Sequence, residues 1–280
     1  MCILVHDNVS TRVHAYCKCI LSWIPTGNIK HIFNSNLLTF NFTKTHYIEF
    51  RTKNYYQVKT KVKYEHKSIS NSSETKFLGL IIDETLSWNQ HVDYIATKLN
   101  SACYTLRNLK HIVPQSILRT IYYAYIRSIL SYGIIFWGRS SNVNKLFILQ
   151  KKMIRIITNN GVRESCREAF KEMEIMTLYS QYFFSLILFT VNNKHLFIAN
   201  KEIHDYKTRS CANLHLPSVN ITKFYKGPLC FGFQSNRLLN RIKVFANVMK
   251  CFKLSLKIFL YHHSFYSIDE YCEYNEDKVM

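Results

Sequence analysis

Glycine is scarce in this chain, with 7 in 280 residues. No Gly-rich loop can therefore cradle a phosphate with its backbone N–H groups. Acidic residues are also few, 18 against 37 Lys plus Arg. No convergent carboxylate pair can be picked out, so chemistry that needs two carboxylate-held metal ions has no visible site. Asp83 and Glu84 read as turn residues, with Asp83 a turn or cap residue and not a metal ligand. The 9 cysteines are scattered, with one close pair, Cys17-x-Cys19. No Cys-x-x-Cys faces a second pair or a His-x-x-x-His, which argues against zinc. No Ser-His-Asp or Cys-His set can be defended. Tyr182 to Val191 is apolar but about half the length that crosses a bilayer, and Ile121 to Trp137 carries Arg127 and Gly133. Cys2 to Val5 is too short for a secretory signal. The expectation is an intracellular protein, nuclear or cytoplasmic, neither secreted nor membrane-bound, with reduced and mostly packed cysteines.

What the chain does have is positive charge and apolar content. Its formal charge is +19, and the surplus runs along the whole length. A distributed basic excess is the footprint of a polyanion binder. A basic composition inherited from AT-rich coding sequence explains the same numbers and stays open. At 48% apolar, the chain can fill one large or two modest cores.

The patterning changes along the chain. Residues 1 to 82 read as strand-rich: Cys2 to Val5, His46 to Phe50, the period-two stretch Val58 to Tyr64, and a buried strand over Phe77 to Ile82. Ser68 to Thr75 reads as polar turn. From Ser87 the period is helical, and Ser87 with Gln90 has the form of a capping box. Trp88, Val92, Ile95, Leu99, Cys103 and Leu106 fall on one face. Pro114 suits a helix's first turn. Ile117, Leu118, Ile121, Ala124 and Tyr125 form the apolar side of a second helix, which Gly133 stops. Asn142 to Asn159 forms a third, with Val143, Leu146, Leu149, Met153, Ile154 and Ile157 on one side. Lys145, Lys151, Lys152 and Arg155 share the opposite side. Helix is also expected over Arg163 to Met173, Thr177 to Asn193 and Leu238 to His262, the last with Ile242, Phe245, Val248, Met249, Phe252, Leu256 and Phe259 in register. The positive end of His262-His263 would complement the helix dipole.

Several motifs occur in a telling order. Asn36-Leu37-Leu38-Thr39-Phe40-Asn41 with Lys44-Thr45 comes first. Lys76-Phe77-Leu78-Gly79 follows, then Leu86-x-Trp88-x-x-His91, then Tyr132-Gly133 and Trp137-Gly138. Leu149 to Thr158, His204-Asp205-Tyr206-x-Thr208-Arg209 and Phe265 to Tyr271 complete the series. In this order they resemble the palm-to-thumb passage and tail of reverse transcriptases from jockey-type non-LTR (LINE-like) retrotransposons. The resemblance covers nearly the whole chain. Two departures stand out. Trp23 and Phe33 look like a family Trp-Phe pair split by Ile24 to Ile32, and Asn236-Arg237-Leu238-Leu239 replaces an Asn-x-Leu-Pro. The family's catalytic Tyr-x-Asp-Asp hairpin does not occur in these residues.

The resemblance implies an α+β fold with three parts. Residues 1–86 are part of a reverse transcriptase palm, 87–193 a helical thumb and connection region, and 194–280 a linker and C-terminal helical tail. It implies that Phe77, Leu78 and Gly79 form a primer-grip-like turn. The parent activity is RNA-directed DNA polymerase, with Mg²⁺ as cofactor of the full-length family. This chain itself is expected to need no cofactor and to be inactive alone. It is expected to retain nonspecific binding to nucleic acid (primer–template) through Lys145, Lys151, Lys152 and Arg155, with no membrane and no small-molecule substrate. Isolated, it is expected to leave the edges of Cys2–Val5 and Phe77–Ile82 unpaired and to fold poorly. A non-enzymatic basic nucleic-acid-binding protein and a functionless translated pseudogene product are the alternatives.

Overall fold

Strands come first along the chain and helices after, which makes this an α+β protein. The computed structural model describes residues 2–6, 35, 45–51, 61–64, 67–197, 200–203, 215, 227–228 and 249–274. The Asn36–Lys44, Trp23/Phe33, His204–Arg209 and Asn236–Leu239 motifs lie outside the described residues. So do Val58 to Thr60 and the helical positions Ile242, Phe245 and Val248. The chain divides into two compact units, Met1–His91 and Val92–Met280.

The first unit is built of short strands. Strand β1 (Cys2–His6) runs antiparallel to β2 (Thr45–Glu49), which pairs in parallel with β5 (Ser70–Asn71). A small pair, β3 (Lys63–Tyr64) and β4 (Lys67–Ser68), adds a second antiparallel ladder. The stretch expected as polar turn thus contributes β4 and β5. Phe77 to Ile82 is not one buried strand. It is a hairpin of β6 (Glu74–Phe77) and β7 (Leu80–Asp83), with Phe77 opposite Leu80. The reason is local: Leu78 and Gly79 both take positive φ, 47° and 80°, the pattern of a two-residue type I′ turn. Each of these segments is paired on one side, β1 with β2 and β6 with β7, and β1 is an outer strand of its described sheet. Tyr47, Ile48 and Ile69 form the buried apolar centre of this unit.

The second unit is helical. Helix α1 (Asn89–Leu109) buries Val92, Ile95, Leu99, Cys103 and Leu106, the face its periodicity announces. Pro114 stands at the N-cap of α2 (Gln115–Ile121). A π-helical turn, Tyr122–Ile126, leads into α3 (Arg127–Ser131). Here the buried stripe is Leu118, Tyr122, Ile126 and Leu130, while Ile117 and Tyr125, expected inside, are about half exposed. Steps of four residues drift around an ordinary helix of 3.6 residues per turn. The wider π turn absorbs that drift and keeps the stripe straight.

Gly133, at φ 61°, ends this run, and α4 (Ile134–Trp137) follows. Trp137 is fully buried, and its Nε1 donates to the Tyr132 carbonyl at 2.9 Å. Gly138 packs against Tyr182, where a Cβ would come within 2.6 Å of the Ile134 carbonyl oxygen and closer still to the tyrosine ring. Helix α5 (Asn144–Thr158) packs beside α6 (Arg167–Glu172) and beside α7 (Leu178–Asn192), which is buried on nearly every side. A short α8 (Asn200–Ile203) precedes α9 (Met249–His263) and α10 (Ile268–Glu273). Helix α9 buries Phe252, Leu256 and Leu260 and packs on α7 and α6, so this part of the tail belongs to the same core.

Candidate nucleic-acid interface

In the first unit the motif residues converge on Asp83. Its Oδ2 accepts from Ser87 N at 3.0 Å and from Thr85 Oγ1 at 2.5 Å, and its Oδ1 accepts from Trp88 N at 3.0 Å. Burial alone would raise this carboxyl. The hydrogen bonds from Thr85, Ser87 and Trp88 outweigh burial and hold it below the usual carboxylate value. Asp83 is thus the cap residue the sequence suggests, while Ser87 Oγ accepts from Asn89 N at 3.4 Å. The bonds let Leu86 and Trp88 sit at φ 49° and 62°, a conformation that costs a branched or bulky residue. His91 is buried, and its Nδ1 accepts from Ile81 N on β7 at 3.3 Å. The Leu86-x-Trp88-x-x-His91 motif is therefore a joint within the first unit, bonded to the hairpin at Ile81 and Asp83. Phe77, Leu78 and Gly79 sit at the hairpin's tip, with Leu78 half exposed.

A second joint holds the helical unit together. Gln150 is buried, and its Nε2 donates to Tyr122 Oη at 2.7 Å and to the Met176 carbonyl at 2.9 Å. Its Oε1 accepts from Leu178 N, in the first turn of α7, at 2.8 Å. Thr177 caps that helix by accepting from Ser180 N. Thr177 also donates to the Phe265 carbonyl at 2.5 Å, tying α7 to the chain beyond α9. Burial raises the Tyr122 hydroxyl far above the ordinary tyrosine value, so it stays neutral.

The four cations of α5 do not act as one free face. Lys145 is exposed and pairs with Asp93 at 3.1 Å. Lys152 is exposed. Lys151 and Arg155 lie about a third of a turn round the helix from these two, on the side toward Tyr266. Arg155 Nη2 donates to the Glu164 carbonyl at 3.0 Å. Lys151 Nζ lies 4.7 Å from the Phe147 ring centre and 5.7 Å from that of Tyr266. The four cations thus form two adjacent rows with different neighbours. Nearest neighbours along one helix were separated by what other elements bring beside them.

Arg167 and Tyr266, not singled out in the sequence, complete this corner. The Arg167 guanidinium lies 4.6 Å from the Tyr266 ring centre and pairs with Glu270 at 2.7 Å. Glu270 Oε2 accepts from Tyr266 N at 2.7 Å. The Tyr266 ring stands edge-on to Phe147 at 5.0 Å. Tyr266 fell within the Phe265 to Tyr271 motif, which was the one available signal. Nothing local marks Arg167. At the end of α9, His263 donates from Nδ1 to the Phe259 carbonyl at 2.8 Å and stacks on Phe265. Burial pushes its pKa down, so the neutral ring satisfies the helix end and the expected dipole charge is replaced by a hydrogen bond.

Among the described residues no group of three His, Cys, Asp or Glu side chains could hold a metal ion. Both Asp83 oxygens accept hydrogen bonds from the turn that leads into α1. No described helix is long and apolar enough to cross a membrane. Fold and surface together define a mainly helical α+β protein with a strongly basic chain. Comparison with family models, curated proteins and solved structures finds no match.

Proposed function

We propose that this chain is the C-terminal part of a jockey-type non-LTR reverse transcriptase, with palm-end strands followed by thumb and tail helices, and that its own task is to hold nucleic acid without transferring nucleotides. The observation that carries the reading is where the ordered motifs fall. Leu78-Gly79 is a positive-φ hairpin turn, Leu86 and Trp88 are held at positive φ by Asp83, and Gly133 is a left-handed helix stop. Trp137 is fully buried, and Gly138, just after α4, lies against Tyr182 with no room for a Cβ. Motif residues that occupy special backbone positions in the family's order support common descent more than scattered composition does. The charge of +19 supports a polyanion partner. The residues hold no Tyr-x-Asp-Asp, and that supports binding without polymerisation.

Two measurements test the reading. The coding DNA upstream of the Met1 codon should continue in frame into a Tyr-x-Asp-Asp stretch. A frame that lacks one would sink the reverse-transcriptase reading and favour the second, a basic nucleic-acid-binding protein of other descent. Binding of the 280-residue chain to an RNA–DNA primer–template should be sequence-independent and fall with salt. No binding at low salt would sink both.

A further inference from the structure

Three cations from two elements surround one tyrosine in the helical unit. Lys151 and Arg155 come from α5 and Arg167 from the first turn of α6, and all three stand around Tyr266. Glu270 has one oxygen on Arg167 and the other on Tyr266 N, and the nearby Glu164 carboxylate accepts from Gly161 N at 3.0 Å. Neither carboxylate forms an ion pair with Lys151 or Arg155. Lys151 Nζ makes no hydrogen bond or ion pair among the described residues, since its neighbours there are ring faces. Arg155 Nε and Tyr266 Oη are buried without a hydrogen-bond partner among the described residues. Ser165 lies beside the tyrosine hydroxyl without the geometry of a bond. Most buried side-chain polar atoms in native proteins have a partner, so two orphans beside unpaired cations in one corner point to an acceptor there. That acceptor must be anionic and must offer several oxygens. Guanidinium forks and an ammonium together match a tetrahedral oxyanion.

We propose that Lys151, Arg155, Arg167 and Tyr266 form a phosphate-binding corner that takes a backbone phosphodiester of the bound nucleic acid. The proposal rests on the nucleic-acid reading above and narrows it. The binding centre lies at the junction of α5, α6 and the turn after α9, and Lys145 and Lys152 stand outside it. The same chemistry could be met by free phosphate.

The adjacent lysines provide the test, because each substitution removes one charge from the same helix. The whole chain is titrated with a labelled RNA–DNA duplex over a range of salt. Lys151→Gln should weaken binding about tenfold and lower the log–log salt slope by about 1. Lys152→Gln should weaken it by less than about twofold, and Tyr266→Phe, which keeps the ring, by about threefold. Melting curves of the three variants confirm that each is folded. In a second arm, inorganic phosphate is added to the chain alone and the melting temperature is read. Duplex binding with equal losses for Lys151→Gln and Lys152→Gln overturns the corner and leaves nucleic-acid binding standing. If no duplex binds, a phosphate-induced rise in melting temperature that Lys151→Gln abolishes supports the corner with free phosphate as its ligand. The nucleic-acid reading then falls. Absence of both effects overturns the corner as well.

Discussion

Asp83 and Gln150 do at the scale of single residues what no periodicity announces. Asp83 accepts three hydrogen bonds and keeps its carboxyl depressed, although burial works the other way. A depressed folded pKa contributes stability that is full above the ordinary carboxylate value, about 3.9, and is lost as pH falls through the folded value. Asp83→Asn should therefore cost about 1–2 kcal/mol at neutral pH. The difference from the parent should shrink as pH falls below the ordinary carboxylate value, as melting curves across the acid range would record. A constant difference at all pH would show that the carboxylate charge is not the cause. Gln150 uses both ends of its amide on Tyr122, Met176 and Leu178. Gln150→Leu keeps the volume and strands three polar groups, at a cost of about 2–4 kcal/mol in chemical denaturation. A loss under about 1 kcal/mol would mean that water replaces the amide.

At the scale of elements, turns and helix ends decide the outcome. The β6–β7 hairpin places Leu78 at φ 47°, where asparagine is at home and leucine is strained. Leu78 is half exposed, so little packing is lost when it is replaced. Leu78→Asn should stabilise the chain by about 0.5–1 kcal/mol, read as a raised denaturation midpoint. A lower midpoint would mean that the exposed leucine is held by contacts of its own. The run from α2 to α3 makes the opposite point. Its apolar residues are plentiful on two sides, so sequence spacing chose Ile117 and Tyr125. The π turn at Tyr122–Ile126 set the buried side to Leu118, Tyr122, Ile126 and Leu130.

For the whole molecule the two expectations concern chemistry and charge. Primer extension on an RNA template with Mg²⁺ or Mn²⁺ should give no incorporation above the blank from these 280 residues. Templated synthesis would overturn the non-catalytic reading. Binding to duplex should weaken with salt and give a clearly negative log–log slope, as neutralised phosphates require. A slope near zero would mean that the positive charge is merely solvated.

The chain's own pattern settled what depends on near neighbours. The α1 stripe from Val92 to Leu106, the stop at Gly133, the Asp83 turn and the order of strands before helices were all legible. Each follows from steric and hydrogen-bonding preferences acting over a few residues. The partners of the charged groups were settled by tertiary structure alone. Lys145 meets Asp93 across 52 positions, and Arg167 meets Glu270 across 103. A cation's spacing along a helix gives its direction and not the charge it will face. That is why three of the four residues read as one surface divide between Asp93, the Glu164 carbonyl and the rings of Phe147 and Tyr266, while Lys152 is exposed. The Tyr266 corner could not be seen before α5, α6 and the turn after α9 were packed together, because no short stretch of sequence contains it.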